Sequence, residues 1–292
     1  MGPGVDGNQG VATFLWRRPR LQLSLLLAGP VGWLLVAYLG SLAVLFIAAF
    51  WRLDTFSGQV VQEYGLDNFR TLVENDVYRT IALRTVGIAA AVTVTDALLA
   101  FPIAFYMAKL ASRRVRGLLV VAVLMPLWSS YLVKVYAWRI ILAEDGILNW
   151  ALAPFGLSGP GFGNVATWLV FSYLWLPFMV LPVYAGLERI PNSLLDASSD
   201  LGGGAWMTFR RVVLPLALPA VVAGSIFTFS LTLGDYITPQ IVSSTQFIGN
   251  VVYTNVGVAN NLPLAAAFAT VPVMIMILYL LGAQKLGAFE SL

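Results

Sequence analysis

The chain alternates between long apolar runs and short polar stretches. Six runs are long enough to cross a bilayer core at about 20 residues per helix: about 23 to 50, 81 to 108, 117 to 142, 165 to 187, 213 to 237 and 264 to 286. The pattern predicts an all-α, polytopic membrane protein with six transmembrane helices. It divides the chain into an N-terminal tail, 1–22, and a membrane domain, 23–292, with an external loop at 52–79 and a cytoplasmic loop at 188–215. Pro102, Pro126, Pro177, Pro182 and Pro272 fall inside the runs. Bilayer helices tolerate such kinks when neighbours satisfy the freed backbone groups, and bent helices leave gaps that suit a pathway.

Charge sets the expected orientation. Arg17, Arg18, Arg20, Lys109, Arg113, Arg114, Arg116, Arg189, Arg210, Arg211 and Lys285 flank the runs on one side, against Arg52, Arg70 and Arg79 on the other. The positive-inside rule then puts both termini in the cytoplasm, with lipid as the surrounding solvent. The loop 52–79 also carries Asp54, Glu63, Asp67, Glu74 and Asp76, and is expected to fold as a small external element. The basic residues ahead of Leu21 suggest a signal peptide. The apolar stretch to Trp51 is too long for a signal core, so a retained first helix is expected.

Composition narrows the chemistry. The 292 residues are 59% hydrophobic and 11% charged, so lipid rather than water suits them. With no Cys and no His, thiolate nucleophiles, disulfides and the usual metal sites drop out. No nucleophile–base pair stands at a usable spacing, so neither a catalytic nor a metal site is expected. The net charge of +3 forms no basic stripe, which argues against nucleic acid.

The loop 188–215 has structure of its own. Ser193 and Asp196 have capping-box spacing after Pro191, so a short helix can start there, with Leu194, Ala197, Ser198 and Leu201 on one face. Gly202 to Gly204 stop it, because glycine takes positive φ at no steric cost. Trp206, Phe209 and Val213 then recur at helical spacing beside Arg210 and Arg211. Two short amphipathic helices at right angles are expected, a knob that a partner could grip.

Asp196-Ala197-Ser198, three residues, Gly202, nine residues, Val212, one residue, Leu214-Pro215 resembles the coupling-loop signature of ABC importer permeases. That signature reads Glu-Ala-Ala, three residues, Gly, nine residues, Ile, one residue, Leu-Pro. Asp replaces Glu, Ser replaces Ala and Val replaces Ile. The resemblance implies a type I ABC importer permease fold, with Asp196, Ala197, Ser198, Leu201, Gly202, Trp206, Phe209 and Arg210 meeting a cytoplasmic ABC ATPase dimer. It also implies a second, homologous permease and an extracytoplasmic substrate-binding protein, with the assembly in a bacterial plasma (inner) membrane. The Gly-x-x-x-x-Gly-Lys-Ser/Thr phosphate loop does not occur here, so ATP and Mg belong to the ATPases and this chain needs no cofactor.

Three further stretches resemble the spermidine/putrescine branch of those permeases: Phe101 to Tyr106, Pro126 to Arg139, and Gly234 to Pro239. A polyamine is a flexible polycation, which suits carboxylates and aromatic faces. Asp235, Tyr236, Trp128, Tyr131 and Trp138 are the pathway candidates, with Asp96 deeper, about 24 Å from the external end of its helix. Lys134 falls about 25 Å from the cytoplasmic start of its span, too far to pair with Asp96. Asp96 then takes a hydrogen bond from Thr93 or Thr95, stays protonated, or faces the pathway. Lys134 and Arg139 would repel a polycation unless they snorkel or pair, and the span-three aromatics equally suit packing and an interfacial belt. Another small organic solute, or a stand-alone carrier, is the alternative; a carrier would often show inverted repeats, and none stands out.

Overall fold

The computed structural model describes residues 19–54 and 56–285. The N-terminal tail to residue 18, with Arg17 and Arg18, and residues 286–292 lie outside the described residues. In chain order the elements are α1 (Gln22–Ala48), β1 (Arg52–Leu53), β2 (Val60–Val61), α2 (Asp67–Glu74), α3 (Asp76–Leu110), α4 (Arg113–Trp128), α5 (Tyr131–Leu142) and α6 (Ile147–Leu152). Then come α7 (Asn164–Arg189), α8 (Asn192–Asp200), α9 (Ala205–Gly234), α10 (Ile237–Val242), α11 (Ile248–Gly257) and α12 (Leu262–Lys285). Among the described residues, α1, α3, α7, α9 and α12 are each long and apolar enough to cross a membrane, and α4 with α5 makes a sixth if that bent pair counts as one span.

That pair corrects the single helix expected over 117–142. α4 and α5 meet at 93°. Ser129 and Ser130 are extended between them, at ψ 149 and 135, which ends the i→i−4 ladder. The Pro126 carbonyl, which would have bonded the Ser130 N–H in a continuous helix, accepts the Ser129 hydroxyl at 2.9 Å and the Lys134 ammonium at 2.9 Å. Lys134 therefore sits beyond the bend, as a staple on it.

Prolines also leave a mark on the long helices. π-helical turns at Leu34–Leu39, Tyr106–Leu110 and Phe209–Val213 lie near Pro30, Pro102 and Pro215 respectively. A proline ring crowds the preceding turn and removes a donor, which the wider turn just ahead of Pro215 absorbs; the other two wide turns follow their prolines.

The centre of the molecule is the three-helix seam of α3, α7 and α9. Ala100, Ala104 and Ala108, one turn apart on α3, pack with Met179, Val183 and Leu187 of α7 and Ala217 of α9 in one buried cluster. Small residues let backbones approach, which is how helices associate where lipid is as apolar as the interface. A Cβ on Gly186 would stand 2.3 Å from the Ala220 Cβ, and one on Gly224 would stand 2.8 Å from the Met179 sulfur. α1 joins through its end, where Ala48, with Ala49 just beyond it and Leu45 a turn before, packs on Ala266 and Ala267 of α12; most of the rest of α1 is exposed.

Lys109, Arg113, Arg116, Arg189, Arg210 and Arg211 gather where α3 and α7 end and α4 and α9 begin, the basic face. The opposite face holds the β-hairpin, in register Arg52↔Val61, and the short helices α2, α10 and α11. In the hairpin turn Asp54 accepts hydrogen bonds from the Ser57 hydroxyl and the Phe56 N–H, which hold its carboxyl below the usual range. The Asn68 amide donates to the carbonyls of Ala49 and Trp51, fastening α2 to the end of α1.

Candidate functional site

The loop between α7 and α9 is built around a glycine cap. α8 ends in a left-handed residue, Gly202 at φ +77, whose N–H bonds the Ser199 carbonyl at 2.9 Å. The Gly203 N–H bonds the Ser198 carbonyl at 2.8 Å, completing a Schellman motif. Gly203 is as constrained as Gly202: a Cβ there would stand 2.7 Å from both the carbonyl and hydroxyl oxygens of Ser198.

Two expectations for the loop are corrected. Ser193 and Asp196 form no capping box, because α8 starts at Asn192 with Pro191 in the cap position and no side-chain cap bond. The second short helix is not separate: Ala205 runs without a break through the π-turn into the membrane-crossing part of α9. Leu195 and Ser198 turn inward, Leu195 onto the central cluster and the Ser198 hydroxyl onto Thr208 at 2.8 Å. Asp196 and Ala197 are exposed, as are Leu201 at 89% and Trp206 at 71%. Apolar side chains this bare at the tip of a capped loop suit burial against another molecule.

The loop's base is clamped. Arg116 donates to the carbonyls of Met107 and Ala108 at the end of α3 and pairs with Glu188 of α7 at 3.2 Å. Lys109 donates to the Ile190 carbonyl and to Asn192. Phe209 meets Phe101 of α3 edge-on at 5.5 Å and stacks on Trp206. Arg210 projects into the open beside them.

At the opposite end of α9 the chain leaves the helix at Asp235, two residues before the end expected for this span. A cavity of ≈ 420 Å³ opens there, lined by Tyr131, Trp175, Asp235 and Tyr236 with Ser230, Leu231, Gly234 and Ile237. Its one charged lining group is the Asp235 carboxylate. One oxygen accepts the N–H groups of Ile237 at 2.8 Å and Thr238 at 3.1 Å, starting α10; the other accepts the hydroxyls of Tyr131 and Thr238. Tyr131 stacks on Trp175 at 6.1 Å and Tyr236 on Tyr253 at 4.8 Å, so two aromatic pairs flank the carboxylate.

Three of the expected pathway residues, Tyr131, Asp235 and Tyr236, thus come together. Trp128 does not join them: it is 79% exposed on the outer surface of α4. Trp138 lies against Tyr173 and the cluster around Val135 and Phe171. Asp96 is fully buried within α3, away from this lining, and neither carboxyl oxygen has a hydrogen-bond partner. Thr93 donates to the Ala89 carbonyl and Thr95 accepts from the Trp168 indole; with both Asp96 oxygens unpartnered, neither threonine is the donor expected for it.

Trp175 and Arg84 escape a reading by sequence. Trp175 is one aromatic among many in an apolar run, and Arg84, which bonds the Gln246 carbonyl, disappears in the hydropathy of the second span.

Residues 100–286, from the middle of α3 through the capped loop to the end of α12, match the family of binding-protein-dependent transport system inner membrane components. The chain belongs to this family. It is a membrane permease subunit of an ABC importer, and the capped loop lies within the matched region. Among its relatives, the inner membrane ABC transporter permease protein YdcU of Escherichia coli K12 is 47% identical, covering 99% of this chain and 97% of that one. The spermidine/putrescine transport system permease protein PotB of the same strain is 30% identical, covering 86% and 92%. A bacterial alginate ABC transporter solved with its periplasmic protein has the same fold, at a TM-score of 0.75 and 15% identity, covering 96% and 97%. That likeness shows the type I ABC importer permease fold.

Proposed function

We propose that this permease carries polyamines of the spermidine/putrescine type. The observation that carries the reading is the cavity at Asp235: a carboxylate is its one charged lining group, and Tyr131, Trp175 and Tyr236, the last backed by Tyr253, form its aromatic walls. Each aromatic face offers a passing ammonium about 0.5–2 kcal/mol, which suits capture without trapping. The cations that argued against a polycation are engaged elsewhere. Lys134 is held on the Pro126 carbonyl, and Arg139 lies over the Phe162 ring at 5.7 Å and bonds the Ile241 carbonyl. The names of relatives such as PotB point the same way.

In this reading the basic face is cytoplasmic, as are both termini, and Asp196, Ala197, Leu201, Gly202, Trp206 and Arg210 present the loop to an ATPase dimer. Asp235, Tyr131 and Tyr236 face an extracytoplasmic binding protein, and a second, homologous permease completes the pathway. The test is ATP hydrolysis by the complex with its binding protein. Spermidine or putrescine stimulates it, and an uncharged polyol does not. Stimulation by the polyol alone would refute the polyamine reading.

A further inference from the structure

Asp96 lies in the seam. On α3 it stands between Thr93, whose hydroxyl meets Thr228 of α9 at 3.4 Å, and Ala100, which packs in the cluster with Met179, Val180 and Ala217. It is 0% exposed, and both carboxyl oxygens lack a hydrogen-bond partner. It sits about 30 Å along α3 from Asp76 and about 21 Å from Leu110, well within the membrane-crossing part of the helix.

Among the described residues, the other buried side-chain polar atoms without a partner are the Ser172 hydroxyl, the Trp175 indole N–H and the Trp51 indole N–H. The first two are on α7, against α3. Val92 of α3 shares a buried cluster with Val170, Phe171 and Leu174. α3 and α7 both run from the far face to the basic face, and Ala100 packs with Met179 and Val180, so Asp96, midway between Val92 and Ala100, stands level with Trp175, while Ser172 lies one turn back, level with Val92. Trp175 belongs to both places: its ring lines the cavity at Asp235 while its indole nitrogen is buried.

The two carboxylates therefore differ in kind. Asp235 spends its oxygens on four protein donors, whereas Asp96 has all its acceptor capacity unspent. An ionisable group buried in a membrane domain without a partner is costly, and such groups mark cation and substrate paths. We propose that Asp96 is the intramembrane binding site for an alkylammonium group of the cargo, and that the Trp175 indole is the partition between this site and the cavity at Asp235. The proposal rests on the polyamine reading for its ligand. In a transport cycle, separation of α3 from α7 exposes the carboxylate, and the ammonium passes from the aromatic cavity to Asp96.

The experiment uses the complete importer, with its second permease, ATPases and binding protein, in proteoliposomes, with putrescine and an uncharged polyol as probes. Asp96→Asn keeps the shape and removes the charge. It lowers putrescine uptake at least about thirtyfold, the loss expected when one partner of a buried charge pair is removed, while the subunits still co-purify. Uptake at the wild-type rate overturns the site. If wild-type importer moves the polyol and not putrescine, the polyamine reading falls, and a second measurement judges the site by itself. The sequence has no cysteine, so Asp96→Cys places the one thiol in this chain. A cationic methanethiosulfonate labels it during ATP turnover and not in its absence, and Trp175→Ala removes the need for turnover. No labelling, or equal rates with and without ATP, overturns the proposal. The cysteine measurement also decides the case if Asp96→Asn fails to assemble.

Discussion

Asp235 accepts four hydrogen bonds from two oxygens, and one donor, Tyr131, comes from a helix more than a hundred positions away in sequence. The carboxylate starts α10 and fastens it to α5, besides lending the cavity its charge. Tyr131→Phe removes the hydroxyl and keeps the ring on Trp175. It lowers stability by about 1.5–3 kcal/mol, the usual worth of a hydrogen bond to a charged group, read as thermal unfolding in detergent. A loss below about 0.5 kcal/mol shows that α5 and α10 are held by packing alone. Gly202 was legible from sequence because a left-handed turn leaves few other residues to choose from. Gly203 was not, since its constraint is an approach to Ser198 that exists only once α8 has folded. Ser193 misled because spacing alone cannot say which residue occupies the cap, and Pro191 takes that position.

The break between α4 and α5 shows what hydropathy misses in an element. The run 117–142 is apolar throughout, and two serines weigh too little to interrupt it. Pro126 was visible, but many bilayer helices bend at proline without stopping. The decisive partner is Lys134, whose ammonium reaches back eight residues to the Pro126 carbonyl. Either Lys134→Met or Ser129→Ala leaves that carbonyl one donor, while the double variant orphans it. The double variant is therefore expected to cost about 1 kcal/mol or more beyond the sum of the singles, measured as unfolding midpoints in a double-mutant cycle. Strict additivity means that the bend is set by tertiary packing instead. The other long helices were read within five residues of their ends, because lipid demands a long apolar run and the polar caps frame it, except that α9 starts at Ala205, eight residues before the span expected from 213.

For the whole molecule, sequence gave the fold class, the number of apolar runs and the loop that places the chain in its family. It could not show that Tyr131, Trp175 and Asp235 meet, since they lie on three separate helices. Arg116 is a case between: it read as a marker of orientation and is also a clamp. Its pair with Glu188 contributes at most about 1 kcal/mol, because both side chains are a third to a half exposed. Its bonds to two α3 carbonyls add to that. Gly202→Val forces a branched side chain into positive φ and distorts the exposed tip, where a Cβ meets no other atom. The complex is expected to assemble and hydrolyse ATP, with putrescine uptake per ATP falling at least about tenfold; one such factor corresponds to about 1.4 kcal/mol of lost coupling. Unchanged stoichiometry removes Gly202 from the coupling apparatus.

The absence of a joint between the capped loop and α9 has a mechanical meaning. At 1.5 Å per residue, the helix from Ala205 to Gly234 is a rod of about 45 Å. A tilt of about ten degrees at the loop end swings the far tip by about 8 Å on a rod of that length. The tip is bolted through Asp235 to Tyr131, at the start of the arm that lies at 93° to α4. A small rotation of the loop therefore works a lever on a crank, and the part that moves farthest is the wall of the aromatic cavity.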